Sequence, residues 1–109
     1  MKAHLIPTDN GSPDFTRGKV ADAELHFEAG DGPLAGLKLI GFGIWARRGP
    51  GPSFNITWPA RRYSVNGESR SFALLRPLTD ATAQDGIRDL LLAAWRQHEL
   101  AAGLIEAPK

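Results

Sequence analysis

The stretch Phe54-Asn55-Ile56-Thr57-Trp58-Pro59-Ala60-Arg61-Arg62-Tyr63-Ser64-Val65-Asn66-Gly67-Glu68-Ser69-Arg70-Ser71-Phe72-Ala73-Leu74-Leu75-Arg76 decides how this chain folds. Its first five residues alternate, Phe54, Ile56 and Trp58 on one side and Asn55 and Thr57 on the other, which is the period of a half-buried strand. Pro59 has no amide hydrogen to give a central ladder, so the chain must leave the sheet there or run along an edge. Arg61 and Arg62 follow at once. Asn66-Gly67, the pair best suited to two successive positive φ angles, sets a turn, and Phe72 and Leu74 begin a second apolar alternation. The stretch predicts an antiparallel hairpin with a long basic loop.

Upstream, Ala21, Ala23, Leu25 and Phe27 alternate with Asp22, Glu24, His26 and Glu28, which predicts a strand with one face on the core and one in water. Ala29-Gly30-Asp31-Gly32-Pro33 closes it with a turn. The next strand, Leu37 to Trp45, is apolar on both sides. Ile40, Phe42 and Ile44 are expected on one face, and Leu39, Gly41, Gly43 and Trp45 on the other. Such a strand is central and covered above and below, or is covered on its second face by another subunit. The two glycines leave room there for something to pack close. Arg47 to Pro52 is a loop by composition. Before Lys19, a short strand at Ala3 to Ile6 is expected to lead into a loop of turn formers, Thr8 to Asp14.

Downstream of Arg76-Pro77-Leu78 the period becomes helical. Thr79 or Asp80 can cap the start, and Thr82 with Asp85 offers a second cap one turn later. Ile87, Leu90, Leu91, Ala94, Trp95 and His98 form the apolar stripe that must lie on the sheet. Gly86 is costly inside a helix, which points to close packing or to a helix that really begins near it. Gly103 is the expected stop.

With 109 residues, 42% of them hydrophobic, the chain can bury one core and not two. It has no cysteine, which excludes disulfides and thiolate metal sites. The first seven residues lack a signal peptide's apolar run, and no stretch approaches a membrane span, so a cytoplasmic protein is expected. The formal charge is only +1, but its distribution is uneven. Between Trp45 and Arg76 lie Arg47, Arg48, Arg61, Arg62, Arg70 and Arg76 against a single acid, Glu68, so a surface built from this segment is basic.

His4, His26 and His98 lack the spacing of a metal motif, and no metal or cofactor is expected. Asp22, Glu24 and Glu28 read as a solvated strand face with no nucleophile beside them. Gly41-Phe42-Gly43 does not complete a dinucleotide fingerprint. The arginines remain. Arg47 and Arg48 end one strand and Arg61 and Arg62 follow the next, so the four are expected to cluster at one end of the sheet, where guanidinium groups fit phosphate and Tyr63 adds a stacking surface.

From about Lys19 to His98 the chain resembles the SpoVG family, the stage V sporulation protein G or septation-regulator proteins of bacteria. The likeness rests on the alternating strand Val20 to Phe27, on Leu37-Lys38-Leu39-Ile40, and on an apolar strand ending in Pro59-Ala60-Arg61-Arg62. A Gly-containing turn, a strand ending in Arg76-Pro77-Leu78-Thr79 and one amphipathic helix, Ala83 to His98, complete it. The resemblance implies an α+β domain, a twisted antiparallel sheet of four to five strands with one C-terminal amphipathic helix. That domain spans 19–103, after an N-terminal segment 1–18 and before a tail 104–109. It further implies a non-enzymatic regulator that binds DNA or RNA as a homodimer, with Arg61, Arg62, Arg88 and Arg96 at the nucleic acid. The rival expectation is a protein-interaction module of the same fold, binding through the two-sided apolar strand around Gly41 to Trp45.

Overall fold

The computed structural model describes residues 1–9, 11–47, 49 and 53–102. The alternation of Lys19–His26 becomes strand β2, with Ala21, Ala23 and Leu25 sealed from solvent and Asp22 exposed. On one side it pairs antiparallel with β1 (Lys2–Pro7), residue for residue from Lys2–His26 to Pro7–Ala21. On the other it pairs with β3 (Lys38–Ala46), which pairs with β4 (Phe54–Thr57). The sheet order is β1-β2-β3-β4, and β5 (Ala60–Val65) and β6 (Glu68–Ala73) form a separate two-stranded sheet. A four-residue helix, α1 (Pro13–Thr16), links β1 to β2, and a 3-10 segment, Ala29–Leu34, takes the place of the simple turn expected there. With the C-terminal helix α2 (Asp85–Ala101), the architecture is α+β with antiparallel sheets, as the sequence leads one to expect.

One face of the four-stranded sheet carries the core. Ala21, Ala23, Leu25, Phe42, Ile44 and Ile56 meet Leu91 and Trp95 of α2, all of them buried. Each large side chain removed from water here stabilises the fold by about 1.5–3 kcal/mol. Phe54 and Trp95 meet edge to face with ring centroids 5.8 Å apart, fixing the helix across β4.

Strand β3 departs from its expected alternation. Ala23 lies opposite Phe42 but Leu25 lies opposite Leu39, so two steps along β2 match three along β3. The extra residue makes a β-bulge, and Gly41 accommodates it with φ +107°. Parity flips at the bulge: Leu39 joins Phe42 and Ile44 toward the core, while Ile40 turns outward and is 58% exposed. The expected grouping of Ile40 with Phe42 and Ile44 is therefore corrected.

At its two glycines the second face of β3 is packed by its own chain. The Trp45 indole donates to Thr57 Oγ1 at 2.9 Å across Gly43, where an added Cβ would lie 2.6 Å from that oxygen and 2.8 Å from Trp45 Nε1. Pro59 covers Gly41, its Cβ 3.2 Å from the position a side chain would take. The glycines are thus sites of close approach, as their spacing suggests.

Pro59 ends the β4 ladder, but no long basic loop follows it. The backbone turns out of the main sheet and pairing resumes at Ala60, so Arg61 and Arg62 lie in a strand. Asn66 and Gly67 take φ 52° and 81°, the two positive values of a two-residue hairpin turn whose twist matches its strands.

Asp80 caps the helical segment by accepting a hydrogen bond from Thr82 N at 2.9 Å. A 3-10 turn, Ala81–Gln84, leads directly into α2, so Gly86 sits in the first turn of the α-helix rather than its interior. The alternative cap at Thr82 and Asp85 does not form; Asp85 pairs instead with Arg88 at 3.0 Å. Among the described residues no helix is long and apolar enough to cross a membrane. The expected stop at Gly103 and the tail 104–109 lie outside the described residues.

Candidate nucleic-acid interface

In a strand successive side chains point to opposite faces, and directly paired residues share a face. The β5–β6 register therefore sorts the hairpin without ambiguity. Arg61 lies opposite Phe72, Tyr63 opposite Arg70 and Val65 opposite Glu68, and these six share one face. Ala60–Ala73, Arg62–Ser71 and Ser64–Ser69 make up the other. On the first face the two aromatics meet along one diagonal, ring centroids 5.6 Å apart, and Arg61 and Arg70 occupy the other. Tyr63 and Phe72 remain about two-fifths exposed, at 41% and 39%. Glu68 reaches Arg70 at 3.4 Å, an exposed pair that leaves the guanidinium accessible to another anion.

This arrangement gives π surfaces for stacking, with a guanidinium beside each ring. Arginine combines a fixed positive charge with a planar fork of donors suited to phosphate. Paired aromatics on an open strand face are the geometry on which unpaired bases stack.

Of the four arginines expected to cluster at one end of the sheet, the three described ones, Arg47, Arg61 and Arg62, are not brought together. Arg61 and Arg62 project from opposite faces of the hairpin. Arg47 lies past the other end of β3, where its amide donates to Ser53 O at 2.9 Å and its guanidinium to Asn55 Oδ1 at 3.3 Å. Since Pro59 lies over Gly41, the stretch of β3 from Gly41 onward separates Arg47 from the base of the hairpin, roughly 20 Å at about 3.3 Å per residue. Arg48 falls outside the described residues. On α2, Arg88 is held by Asp85 and lies 5.9 Å from the centre of the Trp58 ring, so its charge is already engaged; Arg96 is exposed.

Arg70 and Phe72 are members of this face that the sequence reading does not assign to the site. A signal for them exists in the sequence: a two-residue turn at Asn66-Gly67 makes residues equidistant from it face each other, which sets Arg70 opposite Tyr63 and Phe72 opposite Arg61.

The acids and histidines occupy other places. Glu24 accepts from His26 Nε2 at 2.9 Å and from Lys38 Nζ at 3.4 Å, and the His26 hydrogen bond, with help from Lys38, holds its carboxyl below the ordinary glutamate range. His26 stacks on His4 with centroids 4.9 Å apart. Asp31 lies 2.7 Å from the N-terminal ammonium, which depresses the carboxyl and raises the amine. Among the described residues no three His, Asp or Glu side chains are arranged to hold a metal ion. Compared with known protein families, with curated proteins and with solved structures, the chain matches none.

Proposed function

We propose that this protein is a non-enzymatic, cytoplasmic regulator that binds single-stranded DNA or RNA on the Arg61, Tyr63, Arg70 and Phe72 face of the hairpin and acts as a homodimer. The observation that carries the reading is the interleaving of two arginines with two exposed, mutually packed aromatics on one strand face. Stacking contributes about 1–3 kcal/mol per base and is tolerant of sequence. The near-neutral net charge keeps the attraction local to the hairpin rather than spread over the molecule.

Two features favour the dimer. A two-stranded sheet is marginal by itself in water, and among the described residues no other element packs broadly against β5 or β6. Each strand also has one edge, six residues long, that pairs with no other described strand and on which a second copy can add. Edge-to-edge pairing would extend the arginine–aromatic face without covering it.

Fluorescence anisotropy with labelled single- and double-stranded oligonucleotides at two salt concentrations tests this. Single strands are expected to bind more tightly, with affinity falling as salt rises. Arg61→Ala with Arg70→Ala should lower the salt slope by about 0.7 for each phosphate no longer neutralised, and Tyr63→Ala with Phe72→Ala should weaken binding at either salt. Unchanged affinity in both double variants would remove the hairpin from the site.

A protein-interaction module is the second reading, and the exposed Val65 and Leu74 on this hairpin favour it. Its surface is the hairpin rather than Gly41 to Trp45, where Pro59 and Thr57 already cover the glycines. A protein that sediments as a dimer through Tyr63 and Phe72 yet binds no nucleic acid at low salt would select it.

A further inference from the structure

A second site lies on the opposite side of the molecule from β3's outer face, where α1 and the end of β1 approach the last turns of α2. A cavity of about 370 Å³ opens there, walled by Phe15, Phe54, Trp95 and His98, with Thr8 and Glu99 among its lining residues. That volume is at the lower end of the range that holds small organic ligands. Trp95 packs against Phe54 on one side and against His98, 5.1 Å between centroids, on the other, so the aromatic walls are braced.

Glu99 is the anomaly. It is 9% exposed, and among the described residues its carboxylate has neither an ion-pair partner nor a side-chain hydrogen bond. It also stands in the last full turn of α2, where the helix dipole opposes a negative charge. Buried carboxylates are ordinarily paired, because desolvation of an unpaired one is costly. Two further polar atoms in the walls, Thr8 Oγ1 and Trp95 Nε1, are sealed from water without a partner. A largely buried carboxylate without a described partner, beside two sealed polar atoms, is a local exception to polar satisfaction in the wall of a largely apolar cavity, and such exceptions collect at functional sites.

We propose that this cavity binds a small organic cation, an ammonium group on a hydrocarbon body. The ammonium pairs with Glu99 beside the packed Trp95 and His98 rings. The hydrocarbon body fills the space against Phe15 and Phe54. This site is independent of the hairpin and stands whether or not nucleic acid binds there.

The test is a titration of the full-length protein with n-butylammonium chloride, with 1-butanol as the uncharged counterpart and sodium chloride as the ionic-strength control. The readout is the Trp95 indole N–H signal, one of three in the protein. The expected result is a saturable shift with butylammonium, at least tenfold weaker with butanol and at least tenfold weaker in Glu99→Gln. Phe15→Ala, at a rim position 40% exposed, should weaken binding while keeping the preference for the cation, and it serves if Glu99→Gln does not fold. No saturable shift up to tens of millimolar, equal binding of butanol, or undiminished binding in a folded Glu99→Gln protein would overturn the proposal.

Discussion

The sheet-and-helix body and the β5–β6 hairpin are built from the same kind of strand pairing, yet they are held by different forces. In the body, Phe42, Ile44, Leu25 and Leu91 are buried, and the ladders are supported by a shared apolar core. In the hairpin no side chain is buried, and what holds it is its own ladder, the Asn66-Gly67 turn and the Tyr63–Phe72 contact. Burial explains why the body is stable, and its lack in the hairpin explains why that element is free to meet something else. A protein's most ordered-looking pairing is not always its most stable part.

The sharpest way to test this contrast is to remove one aromatic from each region. Phe42→Ala should cost about 3–5 kcal/mol, because it leaves a cavity in the core. Phe72→Ala, on an exposed face, should lower stability in chemical denaturation by less than about 1 kcal/mol. Equal losses would mean that the hairpin belongs to the folding unit as fully as the core does. The next effect is overpacking: Gly43→Ala forces a methyl against Thr57 Oγ1 and the Trp45 indole, for which about 1–3 kcal/mol is expected in chemical denaturation.

Smaller still in global terms is Gly67→Ala, which strains a residue at φ +81° by about 1–2 kcal/mol. Its effect should be local. Hydrogen exchange should quicken at β5 and β6 amides while β2 and β3 stay protected. Exchange that quickens throughout would break the distinction between the two regions.

The smallest effect concerns acid. The backbone hydrogen bond from Thr82 holds the Asp80 carboxyl below its ordinary 3.8. A depressed carboxyl stabilises the fold above its unfolded value and loses that contribution as pH falls from about 3.8 through the folded value. Asp80→Asn keeps an acceptor and should flatten that part of the stability profile, read by thermal melts below pH 4, with no change in hairpin exchange.

These contrasts also show what the chain discloses before it folds. The β2 alternation and the Asn66-Gly67 turn are legible because each is a local rule: side-chain period in one case, tolerance of positive φ in the other. The bulge at Ile40 and Gly41 is not, since one inserted residue inverts every later position and only the pairing partner reveals it. Pro59 is readable as the end of a ladder but not as the pivot between two sheets, because the strand that follows alternates arginine, tyrosine and valine rather than apolar with polar. Glu99 is hidden for a related reason. A glutamate near a helix end looks solvated in sequence, and the residues that share its cavity, Pro7, Thr8 and Phe15, are distant in the chain.

The most direct measurement is a titration of isotopically labelled protein with a short single-stranded oligonucleotide, following backbone and side-chain NMR signals residue by residue. The largest shifts are expected on Arg61, Tyr63, Arg70 and Phe72, with little change at Arg47 or along α2. Binding that instead perturbs Arg96 and the helix, or that leaves the hairpin signals unmoved, would contradict the assignment of the hairpin as the nucleic-acid surface.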